Sequence, residues 1–213
     1  MSKIAVFLDA NILYSWNLNH ILMFFCDTGV GLVEPYWSDA VVEEAIRNIC
    51  KNNPSENQDN VRARFEKMNA VYPYANVVGY ENEPEVDGVH IDDQHIAKAT
   101  ILNQCDFLVT NNLKHFKSAV KLSSSPKVVT ADTLLTALTK KYPDDSLKAT
   151  VLAWWHLKNS RGNYDQYLSY LGKKEEGLRL VNFEKNIREI IKNKNKPCEV
   201  IASEIMTNEN KRY

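Results

Sequence analysis

Asp9, Glu44 and Asp93, with the amide of Asn112, are residues whose types suit one chemistry if the fold brings them together, although spacing alone does not choose them. Asp9 follows a short apolar run directly, Glu44 lies within a helical pattern, Asp93 opens another, and Asn112 follows a second apolar run. In an alternating strand and helix fold such positions can converge, because functional groups gather at strand C-termini. Three carboxylates beside an amide form an all-oxygen donor set, which suits a hard cation such as magnesium or manganese. Like charges at close range raise one another's pKa, so a divalent ion both relieves the repulsion and brings positive charge to a phosphate. The reaction this points to is metal-assisted phosphodiester hydrolysis with one or two ions, two ions standing roughly 3.5–4 Å apart.

The elements that must hold these groups are readable in outline. Ile4 to Leu8 is almost wholly apolar, as in a strand buried on both faces of a parallel sheet. A helix is expected from about Trp16 to Asp27, stopped by Gly29. A second starts at Ser38, whose hydroxyl caps it, with Val42, Ala45, Ile46 and Ile49 on one face and Asn53-Pro54 at its end. Ser55 is expected to cap a polar helix through Met68, Val77 to Val78 reads as a brief strand, and an acidic loop runs from Glu81 to Asp87. A helix from Asp92 or Asp93 to Asn103 leads into a buried strand at Phe107 to Thr110, and Pro126 introduces another at Val128 to Thr130, followed by a helix from Ala131. The expected class is therefore α/β: a three-layer α/β/α arrangement around a mostly parallel sheet. From Pro143 the pattern is helical, aromatic and then lysine-rich, giving expected regions of 1–142 for the α/β domain and 143–213 for a helical C-terminal extension.

Composition narrows the function classes without choosing one. The 213 residues are 44% apolar with a formal net charge of −1, so nucleic-acid binding has to rely on a local patch or a metal site. Cys26, Cys50, Cys105 and Cys198 are far apart and form no CxxC pair, which speaks against a zinc knuckle or a disulfide framework and for a reducing, cytoplasmic setting. No apolar run is long enough for a membrane span or a signal segment.

Four stretches carry a family resemblance: Phe7-Leu8-Asp9-Ala10-Asn11, Tyr36-Trp37-Ser38 with Glu44, Asp93-Gln94-His95-Ile96-Ala97, and Phe107-Leu108-Val109-Thr110-Asn111-Asn112-Leu113-Lys114. In this order and at these intervals they resemble the PIN domain, over about Lys3 to Lys140. The tail, with Asn163-Tyr164-Asp165-Gln166-Tyr167-Leu168, is similar to the helical tail of one bacterial branch, the VapC-like toxins of toxin–antitoxin pairs. The resemblance implies an endoribonuclease in which Asp9, Glu44 and Asp93 bind magnesium or manganese, with a small antitoxin protein and a homodimer as further expectations. Many relatives carry an acid where this chain has Asn112, and the related branch often has Asp where this chain has His115. That implies reduced or one-metal activity, with the Asn112 carbonyl oxygen still able to meet an ion or orient water.

Supporting roles are expected for Asn11, which fixes Asp9, and for Ser38 and Thr110. Arg47, Lys51, Lys114 and Lys117 are expected phosphate contacts. Histidines 90, 95 and 115 have no ligand-like pairing and are not catalytic candidates; His95 is expected to pack or bond locally. Trp154, Trp155, Tyr164, Tyr167 and Tyr170 either stack on bases or, as we favour, seal the helical extension. A PIN-fold RNA- or protein-binding module without catalysis is the competing reading. Phe7-Leu8-Asp9 also resembles the nucleophile strand of haloacid-dehalogenase phosphatases, but Asn11 stands where that family has a second Asp, and no downstream lysine motif follows.

Overall fold

A computed structural model of the chain describes residues 3–26, 30–116, 126–173 and 178–210. Four strands form one all-parallel sheet: β1 (Ile4–Leu8), β2 (Val33–Tyr36), β3 (Phe107–Val109) and β4 (Lys127–Val129), in the order β2-β1-β3-β4. The helices are α1 (Ala10–Tyr14), α2 (Trp16–Cys26), α3 (Asp39–Asn52), α4 (Gln58–Val71), α5 (Gln94–Leu102), α6 (Ala131–Lys141), α7 (Pro143–Arg161), α8 (Tyr164–Gly172), α9 (Val181–Asn193) and α10 (Cys198–Asn210). The α/β class with a parallel sheet and a helical C-terminal region is as the sequence led us to expect.

β1 has a neighbour on each side, which explains its uninterrupted apolar run: Val6, Phe7 and Leu8 are at most 1% exposed. β2 was not expected. Val33-Glu34-Pro35-Tyr36 carries a proline and an acid, which weaken any strand signal, yet it lies at the sheet edge, where a missing N–H is tolerated. Its register pairs Val6 with Pro35. The strand expected at Val77 to Val78 is instead a single bridge between Trp37 and Asn76, with Val77 N donating to the Trp37 carbonyl. The polar helix α4 starts later than expected, capped by Asn57, whose side chain accepts from Asp59 N at 2.7 Å. Ser38 does cap α3, accepting from Val41 N.

The chain divides into two compact units, Met1–Asn19 with Val33–Thr130, and His20–Leu32 with Ala131–Tyr213. In the first, Val41, Val42, Ala45 and Ile46 of α3 are buried, α1 packs against α3, and α4 packs against α3. Trp37 is fully buried and its Nε1 donates to Asn69 Oδ1 at 2.8 Å, tying the end of β2 to α4. The second unit is helical, with a core of Leu134, Leu138, Val151, Trp154, Tyr164, Tyr167, Phe183 and Ile187. Tyr164 and Tyr167 are buried there, and Trp154 Nε1 donates to the Gly162 carbonyl at 2.9 Å, so these aromatics fill a core. Trp155 is exposed, with Lys158 over its ring, and Arg161 lies over Tyr170. No helix among the described residues is long and apolar enough to cross a membrane, and all four cysteines are free thiols.

α9 lacks a cap of its own, and Asp132 of α6 supplies one: its carboxylate accepts from Phe183 N at 2.9 Å and from the Asn182 side chain at 2.7 Å. A carboxylate at a helix N-terminus satisfies exposed N–H groups and opposes the helix dipole. Asp132→Ala is therefore expected to lower stability by about 1–2 kcal/mol, read as a fall in thermal midpoint of roughly 2–8 °C, with Asp132→Asn, which keeps an accepting oxygen, losing less. A pH effect arises at His20, packed edge-on against Phe24 with His156 beside it. Burial, and secondarily the neighbouring His156, lower its pKa to about 4. The unfolded chain holds a proton at His20 up to about pH 6.5, so between these values it binds more protons than the folded chain and stability rises with pH. The contribution is complete above about pH 6.5 and is lost as pH falls towards 4. The thermal midpoint should fall between pH 7 and pH 5, and His20→Phe should show a shallower pH dependence in the same melts.

Candidate functional site

Strand order sets where the chemistry sits. From β1 the chain goes to β2 on one side, while β3 and then β4 lie on the other, so connection direction reverses between β1 and β3. The crevice beyond the carboxyl ends of two such strands is the usual place for a ligand in an open parallel sheet. Asp9 leaves β1 and Thr110 leaves β3 at this point, with Asp9 N donating to the Val109 carbonyl at 3.1 Å and Thr110 N to Val129 at 3.0 Å.

Asp9 is 3% exposed. It occupies the cap position of α1, yet its side chain makes no capping bond there. Its Oδ2 instead accepts from the Thr110 hydroxyl and the Asn11 side-chain amide. Thr110 Oγ1 in turn accepts from Asn11 Nδ2 at 3.0 Å and Asn112 N at 2.9 Å, while Asn11 Oδ1 accepts from Asn111 N at 2.9 Å. Every polar atom of the Asn11 side chain is thus used in joining the end of β1 to the end of β3. Burial is the largest influence on Asp9 and raises its pKa; Thr110 and the Ala10 backbone amide pull it down, and Glu44 and Asp93 push it up again. Asp9 therefore feels both other acids.

Glu44 and its neighbour Glu43 are distinguished by their partners. Glu43 forms a bidentate ion pair with Arg62 of α4 that lowers its pKa. Glu44 is half-buried and makes no hydrogen bond or ion pair among the described residues. Asp93 occupies the cap position of α5 without a capping bond; its Oδ2 lies 2.8 Å from His115 Nδ1. Asn112 also meets that ring, its side-chain nitrogen 2.7 Å from the same Nδ1. Arg47, Lys51 and Lys114 are exposed, and Lys117 lies outside the described residues.

The donor chemistry of Asp9, Glu44 and Asp93 fits a magnesium or manganese ion: oxygen ligands only, one of them a buried carboxylate destabilised by the other two. Histidines 90 and 115, set aside from sequence spacing, require a correction. Among the described residues, His90, Asp93 and His115 are the group of His, Cys, Asp or Glu whose ligand atoms all lie within 4.8 Å of one another. Their loops meet through His90 N donating to the His115 carbonyl, a pairing that no local sequence pattern reveals. His95 carries a buried Nε2 without a hydrogen-bond partner among the described residues.

A group whose folded pKa is raised contributes stability below its unfolded value and loses it as pH rises through the folded one, so ionised Asp9 weakens the metal-free fold at neutral pH. Asp9→Asn is expected to raise the thermal midpoint in EDTA at pH 7 by a few degrees, corresponding to about 1 kcal/mol. The difference should shrink as the medium becomes acid enough to protonate Asp9. A lower midpoint for the variant at pH 7 would mean that the Thr110 and Asn11 bonds outweigh burial.

No family model, curated protein or solved structure matches this chain, so the functional argument rests on the residues and their geometry.

Proposed function

We propose that the chain is a divalent-metal-dependent endoribonuclease of the PIN type, acting as the toxin of a toxin–antitoxin pair in the cytoplasm. The observation that carries this reading is the Asp9 carboxylate at the β1/β3 reversal point, held by Thr110 and Asn11, its pKa raised by burial first and further by Glu44 and Asp93. Buried carboxylates that destabilise one another are retained where a cation or proton has a task there.

In this reading Asp9, Glu44 and Asp93 hold magnesium or manganese, as one or two ions. A bound ion supplies a nucleophilic hydroxide near neutral pH and offsets the negative charge that develops at phosphorus. The chain's own residues do the positioning. Thr110 and Asn11 fix the Asp9 oxygen that accepts from both. Arg62 engages Glu43, leaving Glu44 as the acid of that helix turn without a cationic partner among the described residues. Arg47 and Lys51, exposed along α3 beyond Glu44, and Lys114 beyond the Thr110 turn offer phosphate contacts. An antitoxin segment that inserts a cationic side chain among the three acids would satisfy the same charge requirement and block the site. A homodimer belongs to the proposal through the resemblance alone.

One observation favours the competing reading, a PIN-fold module that binds RNA or protein without cutting it. Asp93 and Asn112 are both engaged with His115, and the three carboxylates are not among the groups gathered within 4.8 Å. Incubating the purified protein with single-stranded and structured RNA in magnesium or manganese separates the two. Metal-dependent cleavage that EDTA abolishes and that falls by about a hundredfold or more in Asp9→Ala is the expected result. Intact RNA in both metals, with RNA still bound, identifies the non-cutting module.

A further inference from the structure

The cluster formed by His90, Asp93 and His115 has properties that the carboxylate site does not explain. His90 precedes a 3-10 turn over Ile91–Asp93, and His115 lies in another over Leu113–Phe116. One backbone bond joins the two turns, His90 N donating to the His115 carbonyl at 3.0 Å, and Asp93 N closes the first turn on the His90 carbonyl at 2.9 Å. The imidazoles stack with centroids 5.0 Å apart and planes 26° from parallel. Asp93 Oδ2 lies 2.8 Å from His115 Nδ1, its side chain 15% exposed, while the His115 and His90 side chains are 32% and 50% exposed. One ligand atom from each of the three falls within a 4.8 Å group.

We propose that His90, Asp93 and His115 are a second cation site, specific for a borderline transition ion such as zinc. Two imidazole nitrogens and one carboxylate oxygen match the preferences of zinc, with metal–ligand distances near 2.0–2.2 Å, and are a poor match for magnesium, which requires a nearly complete oxygen shell. Three protein ligands leave a coordination position for water or a phosphate oxygen. Around the two rings, His90 Nδ1 accepts from Asp92 N at 3.3 Å, and the Asn112 side-chain nitrogen lies 2.7 Å from His115 Nδ1. His115 Nδ1 and Asp93 Oδ2 lie 2.8 Å apart; an ion bound between such groups displaces to solvent any proton they share. The exposure of His90 gives the ion a path in from solvent, and its anchoring backbone bonds hold the ligands near one another before it arrives. The site shares Asp93 with the ribonuclease reading and takes its two nitrogen ligands from outside it.

Cobalt(II) is the probe, because its visible absorption reports imidazole ligation and tetrahedral geometry. Titrating the metal-free full-length chain is expected to give intense d–d bands that zinc abolishes and that a large excess of magnesium leaves in place. His115→Ala and His90→Ala should each weaken cobalt binding by about tenfold or more, while Asp9→Ala retains the spectrum. Far-UV circular dichroism and a thermal melt of each variant identify any loss that stems from unfolding, and His90, being exposed, gives the cleaner substitution. Absence of the bands in the wild-type protein, displacement by magnesium, or unchanged binding in folded His90→Ala and His115→Ala would overturn the site. Failure of the ribonuclease reading shows instead as RNA left uncut in magnesium and manganese, an outcome that leaves the cobalt result untouched.

Discussion

The constraint on which the first unit depends is a charge placed where a charge is unwelcome. Asp9 ends a strand that is buried on both sides and is itself nearly inaccessible. An ionised carboxylate in such a place is tolerated only with donors or a counter-charge. Thr110 and Asn11 supply the donors, and both are held by further bonds to Asn111 and Asn112. The carboxylate thus dictates how the two central strands end: the turn after β3 is shaped to deliver a hydroxyl to Asp9. Donors lower the pKa but do not neutralise, and the two acids nearby act in the other direction. What remains is a demand for positive charge at the crevice.

The surrounding elements distinguish the acids by their partners. α3 is fixed by the Ser38 cap and by its buried face of Val41, Val42, Ala45 and Ile46, so Glu43 and Glu44 emerge on different sides of the helix. Arg62 of α4 captures the first. α5 begins at Asp93, whose carboxylate, free of a capping duty, lies against the His115 ring. Asp93 therefore stands between two kinds of chemistry: hard oxygen donors towards Asp9, and imidazole nitrogens towards His90 and His115.

What was legible in the sequence were features whose cause is local. The apolar run of β1, the Ser38 cap, the Asn53-Pro54 stop and the helix from Ala131 each follow from a few adjacent residues. Asp9 was legible because an acid directly after a buried strand is rare without a partner. The rest depended on distant groups. β2 forms despite Pro35 because it lies at an edge, a fact set by the sheet and invisible in four residues. Asn57 outcompetes Ser55 as a cap through the geometry of one turn. The difference between Glu43 and Glu44 lies in Arg62, nineteen positions after Glu43. The pairing of His90 with His115 depends on two 3-10 turns meeting across a sheet connection. The residues 20–32 and 131–142 group with the C-terminal helices, an association that a reading along the chain assigns to the α/β region.

The central claim, that Asp9 and Glu44 face a common cation while Glu43 does not, is tested most directly by calorimetric titration of manganese into the wild-type protein and into Asp9→Asn, Glu44→Gln and Glu43→Gln. The account predicts loss of binding in the first variant, marked weakening in the second and near-wild-type affinity in the third. Unchanged affinity in Glu44→Gln, or a loss in Glu43→Gln as large as that in Asp9→Asn, would contradict it.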